Sequence, residues 1–377
     1  MRLCYVGSLG SVHTERWIRY FAERGHEVHV LTPVPASHHA PSTVHIHLVK
    51  QIRTGRRQID VPINALLGIP QIMWYRAMLR RINPDLVHAH YLNDAAFFAS
   101  LAGFRPFVST AWGSDVLINP ERSRALRWMV RFILTRSDLI TCDARHLRDA
   151  LIRLGADPAR VRIVYFGTDT DTFTPDRRDP GGRRRLGLRD GPVVISLRRL
   201  DPLYDVGTLI AATSAVRERL PAVQVVVAGS GPEQGRLQAM AGSRGVASSV
   251  RFVGQVAEGD LPAYLTASDV YVSTALSDGG LAASTAEAMA CALPVVITDV
   301  ADNREWVEDG VSGVLVPPGD PQALASKIIY LLEHPEERAR LGRNGRRVIE
   351  QRNSWAVQMA GMQQLYEQLA REAHGRA

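Results

Sequence analysis

The chain has 377 residues, of which 46% are apolar and 22% charged, and a formal net charge of +7. This is the make-up of an ordinary globular protein, and at ~100–200 residues per domain it suggests two domains. No apolar run reaches the ~18 residues of a membrane span, and the opening Met1–Val6 run is too short for a signal peptide.

The charge is unevenly spread. Residues 1–168 carry 22 Lys/Arg against 12 Asp/Glu, and the remainder 23 against 26. A basic first half beside a mildly acidic second half suggests an acidic partner for the first. The three cysteines, Cys4, Cys142 and Cys291, stand far apart in apolar or small-residue contexts. They read as buried free thiols without metal-ligand spacing, which points to a reducing cytoplasm.

In chain order, Arg2–Val6 is apolar and rich in strand formers. Glu15–Arg24 has helical spacing through Trp17, Tyr20 and Phe21 and stops at Gly25, a residue suited to a helix end. Strands are expected at Glu27–Leu31, Val44–Val49, Leu86–His88, Phe107–Ser109, Leu139–Thr141 and Val161–Val164, with helices between most of them. Arg122–Arg136 reads as one helix in which arginines alternate with Leu126, Trp128, Met129, Phe132 and Ile133. Such a face, together with the loop Arg53-Thr-Gly-Arg56-Arg57, can dock on anionic lipid headgroups or be an ordinary solvated surface. No nucleic-acid recognition module is visible.

Gly167–Pro192, rich in Gly, Pro, Asp and Arg, breaks the composition, with a linker expected at about Gly167–Asp176. After it the alternation resumes. Strands are expected at Val193–Leu197, Val223–Ala228, Val250–Val253, Val270–Val272, Val295–Thr298 and Gly313–Val316. Helices are expected at Asp205–Leu220, Pro232–Ala241, Ala282–Ala290 and Pro321–Leu332, and Trp355–Ala373 reads as a last amphipathic helix. Strand–helix alternation of this kind builds parallel, doubly wound sheets, which bind ligands at the carboxyl ends of their strands.

The most informative run is Ser273–Val296. A strand ends near Ser273, a turn holds Asp278, Gly279 and Gly280, and a helix starts near Leu281. The N–H groups at such a helix start attract a diphosphate, and the glycines admit close backbone approach. Glu287, about two turns in, is suited to accept hydrogen bonds from ribose or sugar hydroxyls; an ordinary buried Glu is the competing reading.

The run Glu287-Ala-Met-Ala, with Leu293-Pro294-Val-Val after it, resembles the cassette of the retaining glycosyltransferases of family four. The resemblance extends through Asn303–Gly310 and Gly313–Asp320. Arg24–Thr32 is similar to the family's second-strand signature, Tyr165–Pro175 to its interdomain linker, and Gly229-Ser-Gly231-Pro-Glu233 to its donor-side turn. The resemblance implies the GT-B fold: two facing doubly wound Rossmann-like domains with a cleft between them. It places an acceptor-side domain over residues 1–168, a nucleotide-sugar-binding domain over 169–354, and a helix over 355–377 that crosses back to the first domain.

It also implies a metal-independent hexosyltransferase with no cofactor. The donor is a UDP- or GDP-linked sugar and the acceptor a glycan or lipid-linked saccharide. Nucleic acid is not an expected partner, and the expected location is the cytoplasm, free or at the inner face of the membrane. Arg199, Asp278 and Glu287 are the expected catalytic residues. Donor contacts are expected from Arg198, Gly229, Gly231, Gly279, Gly280, Leu281, Ala282 and Glu287. Acceptor-side contacts are expected from Gly10, His13, His90, Trp112, Asp115 and Tyr204, with no metal ligands. Asp169-Thr-Asp171 matches an Asp-x-Asp metal motif but sits in the linker signature, where turn chemistry explains it.

Three positions depart from the family pattern. Gly279 stands where the family's first Glu is expected, eight residues before Glu287. Either Asp278 takes over that carboxylate's role, or the backbone N–H groups of Gly280–Ala282 hold the sugar unaided. Tyr204 replaces the second diphosphate-binding cation, and Arg198 supplies that charge only if it points inward. Trp112 replaces a histidine, so no His base is required, and its indole is suited to stack on a sugar face. A GT-B epimerase and a degenerate, binding-only relative remain the rivals; a phosphorylase lacks a suitable pyridoxal lysine in Lys50 or Lys327.

Overall fold

The computed structural model describes residues 1–33, 43–49, 68–278 and 280–375. The Arg53–Arg57 loop, Lys50 and Gly279 lie outside them, as does the side chain of His13. The chain forms two compact units, Met1–Phe166 with Gln358–Ala377, and Gly167–Val357.

The first unit is built on strands β1 (Arg2–Val6), β2 (Glu27–Thr32), β3 (Val44–Leu48), β4 (Leu86–His90), β5 (Phe107–Thr110), β6 (Leu139–Cys142) and β7 (Val161–Ile163). They pair in the order β3-β2-β1-β4-β5-β6-β7, all parallel. The second unit holds β8 (Val193–Ser196), β9 (Gln224–Ala228), β10 (Val250–Gly254), β11 (Val270–Ser273), β12 (Val295–Thr298) and β13 (Val314–Val316). Their order is β10-β9-β8-β11-β12-β13, again parallel. In β8, β9, β11 and β12 every residue is buried. Parallel sheets covered on both faces require such continuous β-branched runs in place of alternation. The strand order reverses between β1 and β4 and between β8 and β11, which creates a crevice beyond the strand ends of each unit.

Most expected elements form within a few residues of their expected bounds. One differs: Arg122–Arg136 is not a single helix. Helices Asn119–Arg122 and Arg124–Arg136 are separated by Ser123, whose backbone is extended. Its hydroxyl accepts the Leu126 N–H at 3.1 Å, an N-cap that starts the second helix.

The last helix, Trp355–His374, buries Met359, Met362, Tyr366 and Ala370, a single stripe at helical spacing. Tyr366 meets the Tyr5 hydroxyl at 3.3 Å and hydrogen-bonds His88 Nδ1. The Asp169 carboxylate accepts the N–H groups of Asp171 and Thr172 at 3.0 and 3.1 Å, which closes a turn of the kind expected for this motif. Cys4, Cys142 and Cys291 are free and buried. Among the described residues no helix is long and apolar enough to cross a membrane.

Candidate functional site

A cavity of about 770 Å³ opens at the switch point of the second sheet. Its walls lie at and beyond the ends of four strands: Leu197–Arg199 after β8, Ala228 at the end of β9 with Gly229–Gly231 after it, Gln255 and Val256 after β10, and Asp278 after β11. The helix Ala283–Ala290 closes it with Ala282, Ala283, Ser284 and Glu287. Of the expected donor and catalytic residues, the fold gathers Arg198, Arg199, Gly229, Gly231, Asp278, Ala282 and Glu287 here.

Two glycines make this wall possible. A Cβ on Gly229 would overlap the carbonyl oxygen of Arg198, and one on Gly231 would overlap that of Leu200. The two turns therefore pack backbone on backbone, latched by Leu200 N–H to Ser230 O at 3.1 Å and Glu233 N–H to Leu200 O at 3.0 Å. On the other side Thr274 Oγ1 donates to Tyr204 O at 3.0 Å, and Leu276 N–H to Leu203 O at 2.8 Å. The loops after β8 and β11 thus hold each other.

Arg198 points inward. It is 8% exposed, ion-paired with Asp278, and its guanidinium carbon lies 4.4 Å from the centre of the Tyr204 ring. Burial pushes the Asp278 carboxyl above its usual range, while the Arg198 charge draws it back down. A solvated Arg198 is thereby ruled out. Arg199 is the exposed neighbour, its side chain 68% accessible and ion-paired with Asp201. Tyr204, expected on the acceptor side, lies instead in this cavity wall.

The helix Ala283–Ala290 has no side-chain N-cap. Its first backbone bond runs from Ala286 N–H to Ala282 O, at 3.0 Å. The N–H groups of the first turn and the positive end of the helix dipole therefore face the cavity. Below them the Tyr271 hydroxyl meets Ser284 Oγ at 2.8 Å and fixes that turn. Gly280 and Leu281 do not line the cavity. Gly280 is buried with φ +109°, a conformation only glycine adopts readily, and Leu281 packs into the apolar core. Ser230, Gln255 and Ser284 also line the cavity. Ser230 and Ser284 lie within the Gly229–Glu233 and Ser273–Val296 runs, where the glycines and Glu287 carry the signal, and Gln255 stands in no motif.

At the switch point of the first sheet, Gly7 lets the loop after β1 pass close to β4; a Cβ there would lie 3.2 Å from His90 Cβ. Gly10 is exposed in that loop. His90, expected as an acceptor-side contact, is buried at 3% exposure, with Nδ1 3.3 Å from Thr14 Oγ1 and its ring edge-on to Trp17. Trp112 is half-buried and joins this aromatic group, 6.3 Å from Trp17 and 5.8 Å from His90 between ring centres. Asp115 is fully buried and serves the backbone. It accepts from Leu92, Trp112 and Gly113 N–H at 2.9, 3.1 and 2.9 Å, and so shapes the turn that carries Trp112. His13 lies in the helix Val12–Glu23. Asp143, after β6, is a residue sequence reading passed over: burial raises its carboxyl to about 6.

Comparison with known proteins agrees with this architecture. A family model described as "Glycosyl transferases group 1" matches residues 183–348, and one described as "Glycosyl transferase 4-like" matches residues 2–144. The chain is 30% identical to a GDP-mannose-dependent alpha-(1-6)-phosphatidylinositol monomannoside mannosyltransferase of Mycolicibacterium smegmatis, over 84% of this chain and 85% of that one. It is 33% identical to a D-inositol 3-phosphate glycosyltransferase of Salinispora arenicola, over 75% of this chain and 68% of that one. The solved structure of Anabaena HepE in complex with UDP superposes with a TM-score of 0.76, at 22% identity, over 98% of this chain and 100% of that one. With both family models in order along an α/β two-domain chain of the GT-B fold, the chain belongs to the group 1 glycosyltransferases.

Proposed function

We propose that the protein transfers a hexosyl group from a UDP- or GDP-linked sugar to a hydroxyl of a glycan or lipid-linked saccharide, with retention at the anomeric carbon and without a metal. The carrying observation is the uncapped helix start at Ala283 facing a cavity of about 770 Å³ that is also lined by Arg199 and Glu287. That volume lies within the ~300–1,000 Å³ usual for small-molecule sites. The relatives' names, with GDP-mannose in one and UDP bound in another, support a nucleotide donor.

In this reading the diphosphate meets the first-turn N–H groups and the dipole of Ala283–Ala290. Arg199 joins it by exchanging its exposed pair with Asp201, a contact of little cost to break, for the more highly charged phosphates. Glu287 accepts the ribose hydroxyls. Asp278 and the Ala282 backbone, both in the cavity wall, hold the sugar, with Arg198 fixing the carboxylate. The acceptor oxygen attacks the anomeric carbon from the face the diphosphate leaves. As the bond to the diphosphate breaks, the acceptor's proton passes to the departing phosphate oxygen. Trp112, His13 and the Gly7–Gly10 loop are the acceptor-side residues of this reading.

A panel of UDP-, GDP- and ADP-sugars tests it by thermal shift and product analysis. One donor class should raise the melting temperature and give a product of unchanged anomeric configuration. Glu287→Ala should weaken nucleotide affinity at least ~10-fold, the loss of a charge-assisted hydrogen bond of about 1.5 kcal/mol or more. If no nucleotide stabilises the protein, the reading fails. Binding without transfer to any acceptor would mark a binding-only relative.

A further inference from the structure

In the first unit, the edge of the sheet gathers four side chains on one face. β2 contributes Glu27 and His29, and β3 contributes His45 and His47. Alternate residues of a strand share a face, and His29 is in register with His45. The pattern Glu-x-His beside His-x-His therefore converges on one spot. His29 Nε2 lies 3.0 Å from Glu27 Oε1, and its Nδ1 lies 3.0 Å from His47 Nε2. The rings of His29 and His45 stack at 4.7 Å. One donor atom from each of Glu27, His29 and His45 lies within 4.8 Å of the other two.

Tetrahedral Zn²⁺ with ligands at ~2.1 Å places donor atoms roughly 3.4 Å apart. The Glu27–His29 pair, at 3.0 Å, is within a few tenths of an ångström of that spacing, and His45 is exposed, with a donor atom within 4.8 Å of both. The surrounding contacts are those that metal ligands need. A ligating imidazole donates its other N–H to a partner, and a ligating carboxylate is itself held by one. His47 stands at His29 Nδ1, and Arg2 Nε stands 2.8 Å from Glu27 Oε2.

We propose that Glu27, His29 and His45 bind a transition-metal dication of the Zn²⁺ class, with His47 and Arg2 orienting the ligands. The metal joins the edge strand β3 to β2 and takes its remaining coordination from water. It takes no part in sugar transfer.

Tag-free, chelator-stripped protein titrated with Co²⁺, followed by visible absorption and by competition with Zn²⁺, tests this. Wild type should show one saturable site with the absorption of a nitrogen and oxygen ligand set, and Zn²⁺ should displace the Co²⁺ and raise the melting temperature. His45→Ala, at an exposed position that leaves the fold intact by circular dichroism, should abolish both responses. His47→Ala should weaken Co²⁺ affinity by about 10–100-fold while keeping one site, the effect of losing a partner behind a ligand. No saturable Co²⁺ site in wild type, or an unaltered site in His45→Ala, overturns the proposal.

Discussion

Arg198 and Arg199 are adjacent in sequence and opposite in surroundings. The first is buried against Asp278, and the second is 68% accessible in its side chain. Removing one partner of a buried ion pair leaves the other charge uncompensated, at a cost of about 3–5 kcal/mol. Asp278→Asn should therefore lower stability as well as turnover. The double variant R198M/D278L, which removes both charges, should regain most of the stability and none of the turnover, as read by urea unfolding and product assay. Recovery of turnover in the double variant would favour sugar binding by the backbone alone. Asp143 offers a separate test through pH. Burial raises its carboxyl from 3.8 to about 6 in the folded chain, so the unfolded chain releases the proton first. Its contribution is fully present below about pH 4 and is lost as pH rises through 6. Asp143→Asn cannot ionise, so its stability relative to wild type should grow between pH 4 and 7, by at most about 3 kcal/mol. An unchanged difference across that range would contradict the burial assigned to Asp143.

At the scale of elements, the strands are legible in the sequence because a parallel sheet covered on both faces needs runs such as Val193–Ser196 and Gln224–Ala228, which few other structures tolerate. The helix after β11 is legible because its turn, its small residues and Glu287 follow in fixed order. The orientation of Arg198 is not legible, because it lies beyond the last residue of β8, where period-2 alternation no longer holds. Nor is the break at Ser123, where one hydroxyl cap overrides a continuous helical pattern. The glycines separate packing from binding. Gly231 meets the Leu200 carbonyl at the cavity, and Gly342, in the helix Pro335–Arg352, meets that of Ala292 away from it. Alanine at Gly342 gains up to ~1 kcal/mol of helix propensity, but overlap with backbone costs about 1–3 kcal/mol and wins. Both Gly342→Ala and Gly231→Ala should lower the melting temperature. Only Gly231→Ala should also weaken nucleotide binding; equal affinities in the two would remove the Gly229–Gly231 turn from the donor site.

At the scale of the molecule, the net positive charge and the most exposed of the large apolar side chains fall in the same unit. Residues 1–168 carry a net +10 and the rest −3. In that basic part Ile69 and Met73 are 77% and 59% exposed on the helix Gly68–Ile82, and Trp128 is 59% exposed on Arg124–Arg136. Both helices pack against Asp94–Leu101 between them. Trp128 sits with Phe97 and Phe132 at 5.6 Å each, among the exposed arginines Arg124, Arg127 and Arg131. Interfacial aromatics beside cations suit the headgroup region of a bilayer, where each Lys or Arg contributes roughly 1 kcal/mol near an anionic surface. Neither term alone suffices: the arginines without an apolar anchor are released by salt, and one tryptophan without them binds weakly. The protein should therefore sediment with anionic vesicles at low ionic strength, and less so as salt shortens the screening length. Trp128→Ala should reduce the bound fraction at every salt concentration, whereas R124E/R131E should abolish binding even at low salt. Sedimentation equal with neutral and anionic vesicles would remove the electrostatic half of this argument, and no sedimentation with either would remove the surface altogether.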